Sequence, residues 1–178
     1  MRIDLEQAKK DEDETRIKEI GISIQKHHLK AAAGFKFIQD APNDKDALVL
    51  MFDLQQALPL PKLSSGPAFY KRKCFCYNLS IHDCSSNTGY FYYWDEATAS
   101  RGSDDIASCI LKHFDQQNIH CDKLIVISDN CCGQNKNWAI VALWLKLLAS
   151  GRVKSVQHVS PTVGHTMLPS DRDFGRVE

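Results

Sequence analysis

Ala47-Leu48-Val49-Leu50-Met51-Phe52-Asp53 is the stretch that decides the fold. A continuous apolar run closed by a carboxylate reads as a strand buried on both faces, as in sheets covered by helices on either side. The pattern recurs at Leu124-Ile125-Val126-Ile127, which ends, after Ser128, on Asp129.

Working outward, the loop Pro59 to Pro67 follows, whose prolines cannot sit in a central strand. Phe69 to His82 alternates over its second half, Ser85, Ser86, Asn87 and Gly89 supply a turn, and Tyr90-Phe91-Tyr92-Tyr93-Trp94 completes a hairpin. Ser103 is placed to cap a helix, with Asp104 and Asp105 in its first turn and Ile106, Cys109, Ile110 and Phe114 facing inward. After Asp129 the loop Asn130 to Asn135 leads into an apolar helix from about Lys136 to Ala149. A third short strand covers Val153 to Val159, and Asp171 to Glu178 opens a last helix that the chain end is expected to cut short. Upstream, residues 4 to about 33 read as a polar helix with a thin stripe of Ile17, Ile20 and Ile24, which must pack on something. A partner chain would serve, and so would a role as linker from an upstream domain. Asp40 to Asp46, with Pro42 and Asn43, breaks the pattern. The division expected is a helical segment or linker over 1–40 and an α/β core over 41–178, ordered β-β-β-α-β-α-β-α.

At 178 residues the chain supports one full domain. Its hydrophobic share of 43% and charged share of 25% are those of an ordinary globular protein. The formal net charge is zero, which argues against a broad electrostatic footprint on nucleic acid, although Lys71, Arg72 and Lys73 form a local basic run. No apolar run is long enough for a membrane span. Seven cysteines, an odd number set in apolar segments, together with the lack of a signal peptide, point to a reducing intracellular compartment.

An aspartate desolvated beside four or more apolar residues costs several kcal/mol unless it is paired or bound to metal. Side chains converge outside the carboxyl ends of the strands in open α/β sheets. Asp53 and Asp129 therefore form a candidate site, with hard divalent cations such as Mg²⁺ the natural means of relieving their repulsion. The bland alternative is that each is a turn or cap residue.

The stretches Phe52-Asp53-Leu54-Gln55-Gln56-Ala57-Leu58-Pro59-Leu60-Pro61, Ser128-Asp129-Asn130-Cys131-Cys132-Gly133-Gln134-Asn135-Lys136-Asn137 and Gly164-His165-Thr166-Met167-Leu168-Pro169-Ser170-Asp171-Arg172-Asp173-Phe174-Gly175 carry a resemblance. They look like a group of transposon-derived animal proteins that resembles the DDE-type transposase and integrase cores, over roughly residues 30 to 178. The element order is similar to the ribonuclease H-like fold, with its mixed sheet. The resemblance implies that Asp53 and Asp129 are the first two carboxylates of a metal site and Asp171 the third, with Asp173 and Glu178 as alternatives. It implies two Mg²⁺ or Mn²⁺ ions, DNA as substrate, a nuclear location and further modules beyond both ends. His165 would orient a metal-bound water or phosphate, or else cap its loop. Two functions follow: a nuclease or strand-transferase core, or a domesticated, inactive protein-binding or DNA-tethering module. A homo-oligomer through the N-terminal helix is a further expectation.

Other patterns weigh less. Gln134, Asn135 and Lys136 open the next helix beside Asp129 and are candidate phosphate contacts, with helix capping as the alternative. Gly133 to Lys136 is one glycine short of a phosphate-cradling loop. Cys74, Cys76, His82 and Cys84 invite a zinc reading, but their spacing suits packed thiols better. Cys131 and Cys132 read as packing, and Tyr90 to Trp94 as an aromatic face against the helices rather than a base-stacking surface.

Overall fold

The computed structural model describes residues 14–60, 72–161 and 169–177, and for Asp171, Arg176 and Val177 the backbone alone. In chain order the elements are α1 (Glu14–Asp40), a 3₁₀ turn (Ala41–Asn43), β1 (Ala47–Leu54), β2 (Leu58–Leu60), β3 (Cys74–Asp83), β4 (Thr88–Asp95), α2 (Ser103–Gln116), β5 (Cys121–Ser128), α3 (Trp138–Ala149), β6 (Val153–Val159) and α4 (Pro169–Val177). This is a mixed α/β protein with a mixed sheet and an N-terminal helix. No helix among the described residues is long and apolar enough to cross a membrane.

The sheet runs β4-β3-β1-β5-β6. β3 pairs antiparallel with β4 on one edge and with β1 on the other, while β1–β5 and β5–β6 are parallel. β2 pairs with Cys74–Cys76 of β3, on the edge where β1 pairs with Leu79–Asp83. β2 thus continues β1 after a break, and Gln55 N–H bonds Asn78 C=O at 2.9 Å across it. Pro59, expected in a loop, sits inside β2 opposite Phe75. β2 is paired on one side only, so a missing N–H is tolerated there.

Alternation along the central strands sorts two cores. Leu50, Phe52, Leu124 and Val126 face α2 and α3, packing with Ile106, Ile110, Phe114, Ile140, Leu143 and Leu147. Val49, Met51, Ile125 and Ile127 face the other way, against Ile38 of α1 and Ala41. Their burial is nearly complete, as the apolar runs predict.

Three boundaries differ from expectation. α1 continues to Asp40, because Ile38 still has Val49 and Met51 to bury against and Pro42 comes only afterwards. The N-cap of α2 is Gly102 rather than Ser103; the Ser100 hydroxyl, bonded to Asp105 and Gly102 N–H, organises that turn. α3 starts at Trp138, capped by Asn137, whose Oδ1 accepts from Ala139 N–H and Ile140 N–H. Gln134, Asn135 and Lys136 therefore belong to the preceding turn and not to the helix.

The aromatic strand packs largely as expected. Tyr90 and Tyr92 lie on His113 of α2, at ring distances of 4.8 and 6.0 Å. Phe91 faces Phe174 of α4 at 6.3 Å, while Tyr93 is half exposed.

Candidate functional site

The last paired rung between β1 and β5 is Phe52–Ser128, and Asp53 and Asp129 each follow it by one residue. Neighbouring strands lie about 4.8 Å apart, so the two carboxylates start from adjacent positions at the carboxyl end of the parallel pair. By alternation both belong to the face that carries Met51 and Ile127. Ser80 of β3 is the register partner of Asp53 on its other side, and Phe91 of β4 is the partner of Ser80.

One rung further out, Asn78 stands between Gln55 and Tyr93. Its Nδ2 donates to Gln55 Oε1 at 2.9 Å and to Tyr93 Oη at 3.1 Å. Asn78, Ser80 and His82 occupy alternate positions of β3 and are all buried. They make one polar stripe on the face of Asp53, while Leu79 and Ile81 fill the opposite core.

Asp129 is held from two directions. Its Oδ1 accepts from Cys131 N–H at 3.0 Å and from the Nδ2 of Asn135, which is 1% exposed. Cys131 C=O in turn receives the N–H groups of Gln134, Asn135 and Lys136, closing the turn. Behind it runs a directional chain on the opposite face. Trp144 Nε1–H has only a donor to offer, so His158 Nδ1 accepts it at 3.3 Å. His158 Nε2–H then donates to Ser128 Oγ at 2.9 Å, and the Ser128 hydroxyl donates to Asp129 C=O at 3.1 Å. Burial pushes the His158 imidazole down to about 4, which keeps this neutral tautomer in place at ordinary pH. Of Asp53, Oδ1 accepts from Leu54 N–H at 2.9 Å.

α4 lies over β3 and β1 on the carboxylate face. Among its described side chains Ser170, Asp173 and Phe174 are buried, and Asp173 Oδ2 meets His82 Nδ1 at 2.6 Å. Gly89 pairs with His82 beneath this contact, and a Cβ there would stand 2.8 Å from Asp173 Oδ2. Asp173 is thus committed to His82. Asp171 is in α4, but its side chain, like His165 and Glu178, lies outside the described residues.

Five buried side-chain atoms among the described residues have no hydrogen-bond partner: Asn78 Oδ1, Ser80 Oγ, Asn130 Oδ1, Asn135 Oδ1 and Ser170 Oγ. Two belong to the β3 stripe beside Asp53, two to the turn around Asp129, and one to the residue before Asp171. Buried polar atoms are nearly always satisfied, so these five oxygens stand out. No group of three or more His, Cys, Asp or Glu side chains that could hold a metal ion gathers among the described residues.

The residues considered for zinc do not gather. Cys74 and Cys84 are ten positions apart along β3 and the residue after it, roughly 30 Å of extended chain at about 3.3 Å per residue. Cys76 Sγ bonds Trp94 C=O at 3.3 Å, His82 holds Asp173, and burial, with Asp83 and Asp173 adding to it, pushes the Cys84 thiol up to about 12. All seven cysteines are free thiols. Arg72 reaches Glu96 at 3.5 Å, and Lys71 is outside the described residues.

The fold and this constellation define a mixed α/β protein with paired aspartates at the carboxyl edge of its sheet. Residues 81–178 match the family described as a domain of unknown function, DUF7869, and the chain belongs to that family. The match takes in Asp129, the Asn135 turn and α4; Asp53 stands upstream of it. No curated protein matches the chain.

Proposed function

We propose that this chain is a divalent-metal-dependent core that cleaves or transfers DNA phosphodiesters, built on a ribonuclease H-like sheet. The observation that carries the reading is the adjacent placement of Asp53 and Asp129 at the carboxyl ends of β1 and β5, with partnerless buried oxygens in the β3 stripe and in the turn after Asp129. Carboxylates, amide carbonyls and a hydroxyl are hard oxygen donors, the set that Mg²⁺ and Mn²⁺ prefer. Counting β2 with β1, the order β4-β3-β1-β5-β6 is 3-2-1-4-5 in chain sequence, and α4, the helix that carries Asp171, lies over β3 and β1. Both features support the ribonuclease H-like reading.

Asp53 and Asp129, with Asp171, are the residues that would hold the ions, which supply Lewis-acid polarisation of a phosphoryl oxygen and stabilise the leaving oxygen. Asn135 and Cys131 N–H fix one oxygen of Asp129, so that the other points in a determined direction. The Trp144-His158-Ser128 chain fixes its backbone. Gln134 and Lys136, in the turn that follows Asp129, would meet the phosphate backbone. Such a protein would act in the nucleus.

Zero net charge favours a second reading, an inactive DNA-tethering or protein-binding relative. Calorimetric titration with Mn²⁺ decides between them. Wild type is expected to bind, and Asp53→Asn to lose the binding heat while staying folded. A folded wild-type protein that binds no Mn²⁺ overturns the catalytic reading and leaves the tethering module.

A further inference from the structure

Trp138 is 84% exposed, the most exposed large hydrophobic side chain among those described, and it stands at the first turn of α3. An indole left this bare is uncommon, since Trp is highly buried on average. It forms one side of a cavity of about 470 Å³ lined also by Asn135, Lys136, Asn137, Ile140, Val141 and His158. That volume lies in the range of small-ligand sites. The lining combines an exposed indole, a partly buried imidazole, two aliphatic side chains, one exposed ammonium and two amide side chains. Asn135 is the wall this cavity shares with the carboxylate site: it lines the cavity, donates to Asp129 and has Oδ1 without a partner.

We propose that this cavity seats an unpaired nucleotide of a single DNA strand, stacked on Trp138, with Lys136 on its phosphate and Asn135 as the polar wall that links it to the carboxylates. An aromatic platform beside a cation is how single strands are held without sequence preference, because every base has a π-face. Continuous duplex presents no free face to the indole. A seat that takes only unpaired bases therefore selects frayed ends, nicks or displaced strands, and it places the adjoining phosphodiester toward Asp129. The apolar stripe along α3 would also suit a protein partner, but Lys136, Asn135 and Asn137 make this end of it polar. The inference deepens the DNA-directed reading and rests on it.

The test is fluorescence anisotropy of a short labelled oligo(dT) strand, and of a blunt duplex of equal length, titrated with full-length protein in EDTA. Wild type is expected to prefer the single strand and to lose intrinsic emission on binding. Trp144 is buried and Trp94 bonds Ser100 C=O, which leaves Trp138 as the tryptophan open to a base. Trp138→Ala should weaken single-strand binding by roughly tenfold or more, from the usual worth of one stacked base. Trp138→Phe should recover most of it, and Lys136→Ala should flatten its salt dependence. A thermal melt confirms folding, which an exposed side chain does not support. Unchanged affinity in Trp138→Ala, no strand binding by wild type, equal affinity for duplex, or loss of self-association in place of strand binding would each overturn the proposal. Because the assay contains no free metal, the two readings fail separately. Absent Mn²⁺ heat with Trp138-dependent strand binding removes the catalytic reading alone, and the reverse pattern removes the nucleotide seat alone.

Discussion

His82 and Asp173 meet at 2.6 Å inside the protein, joining strand β3 to the last helix α4. Neither is appreciably exposed. Removing one partner of a buried pair strands the other, at about 3–5 kcal/mol. His82→Ala and Asp173→Ala are each expected to lose that much in urea denaturation, and the double variant much less than their sum. Additive losses would show that the two side chains act independently.

Gly89→Ala should reach the same contact from below. The added methyl would press on Asp173 Oδ2, which cannot swing away without leaving His82. Faster amide exchange in 169–177 than in wild type is the expected result, with the β1–β5 core unchanged. Exchange that rises equally everywhere would point to global destabilisation instead.

Asn135 is the buried clamp on Asp129. Hydrogen bonds to charged groups are worth about 1.5–3 kcal/mol, so Asn135→Ala should lower unfolding free energy by that order. It should also weaken Mn²⁺ binding, because Asp129 is then aimed only by Cys131 N–H. Asp129→Asn keeps an acceptor for both donors. It should melt at or above the wild-type temperature without metal and gain nothing from added Mn²⁺, whereas a metal-binding wild type should gain with the logarithm of free Mn²⁺ above its Kd.

Two histidines set a pH dependence. Burial pushes His113 and His158 down to about 4, with Asp83 opposing it weakly at His113. In the unfolded chain both titrate near about 6.5. Above that value both states are neutral and stability is undiminished. Between about 6.5 and 4 the unfolded chain binds protons that the folded one refuses, so stability falls as pH drops, by on the order of 1 kcal/mol per unit for each histidine. The partly exposed carboxylate of Asp44 is held below the usual carboxylate range by its hydrogen bond from Lys123 and so stays out of this window. Urea midpoints from pH 7.5 to 4.5 should show the decline, and His113→Asn should reduce its slope.

The apolar runs at 47–52 and 124–127 were legible in the sequence as buried strands, as were their closing aspartates and the strand Val153–Val159, because continuous burial leaves its mark on every residue. The pairing of Ala47–Phe52 with Lys123–Ser128 was not legible, since register is a choice between distant segments. Pro59 hid β2, because a proline forbids a strand only where its N–H is needed. The helix start was misplaced by two residues because Gln134 to Asn137 are all plausible caps, and only the bonds accepted by Asn137 distinguish them. The stripe of Asn78, Ser80 and His82 was visible as polar residues alternating with Leu79 and Ile81. Its burial is not legible there, because a polar stripe at strand spacing reads equally well as a solvent-facing side. Trp138 and His158 carried no local signal, since exposure and tautomer arise only from packing.

The strand order also sets a timetable. β3 and β4 are joined by a tight turn and can zip together as soon as they leave the ribosome, whereas β1 must wait for β5, which emerges only after the hairpin and α2. Until then the inner edge of β1 is bare, and a bare apolar strand edge is a template for unwanted partners. The carboxylates of Asp53 and Asp129 are brought side by side only in that later closure, so the chain acquires any chemistry of its sheet edge after the β3–β4 hairpin has formed. Slow refolding with late recovery of ion binding would be its kinetic signature.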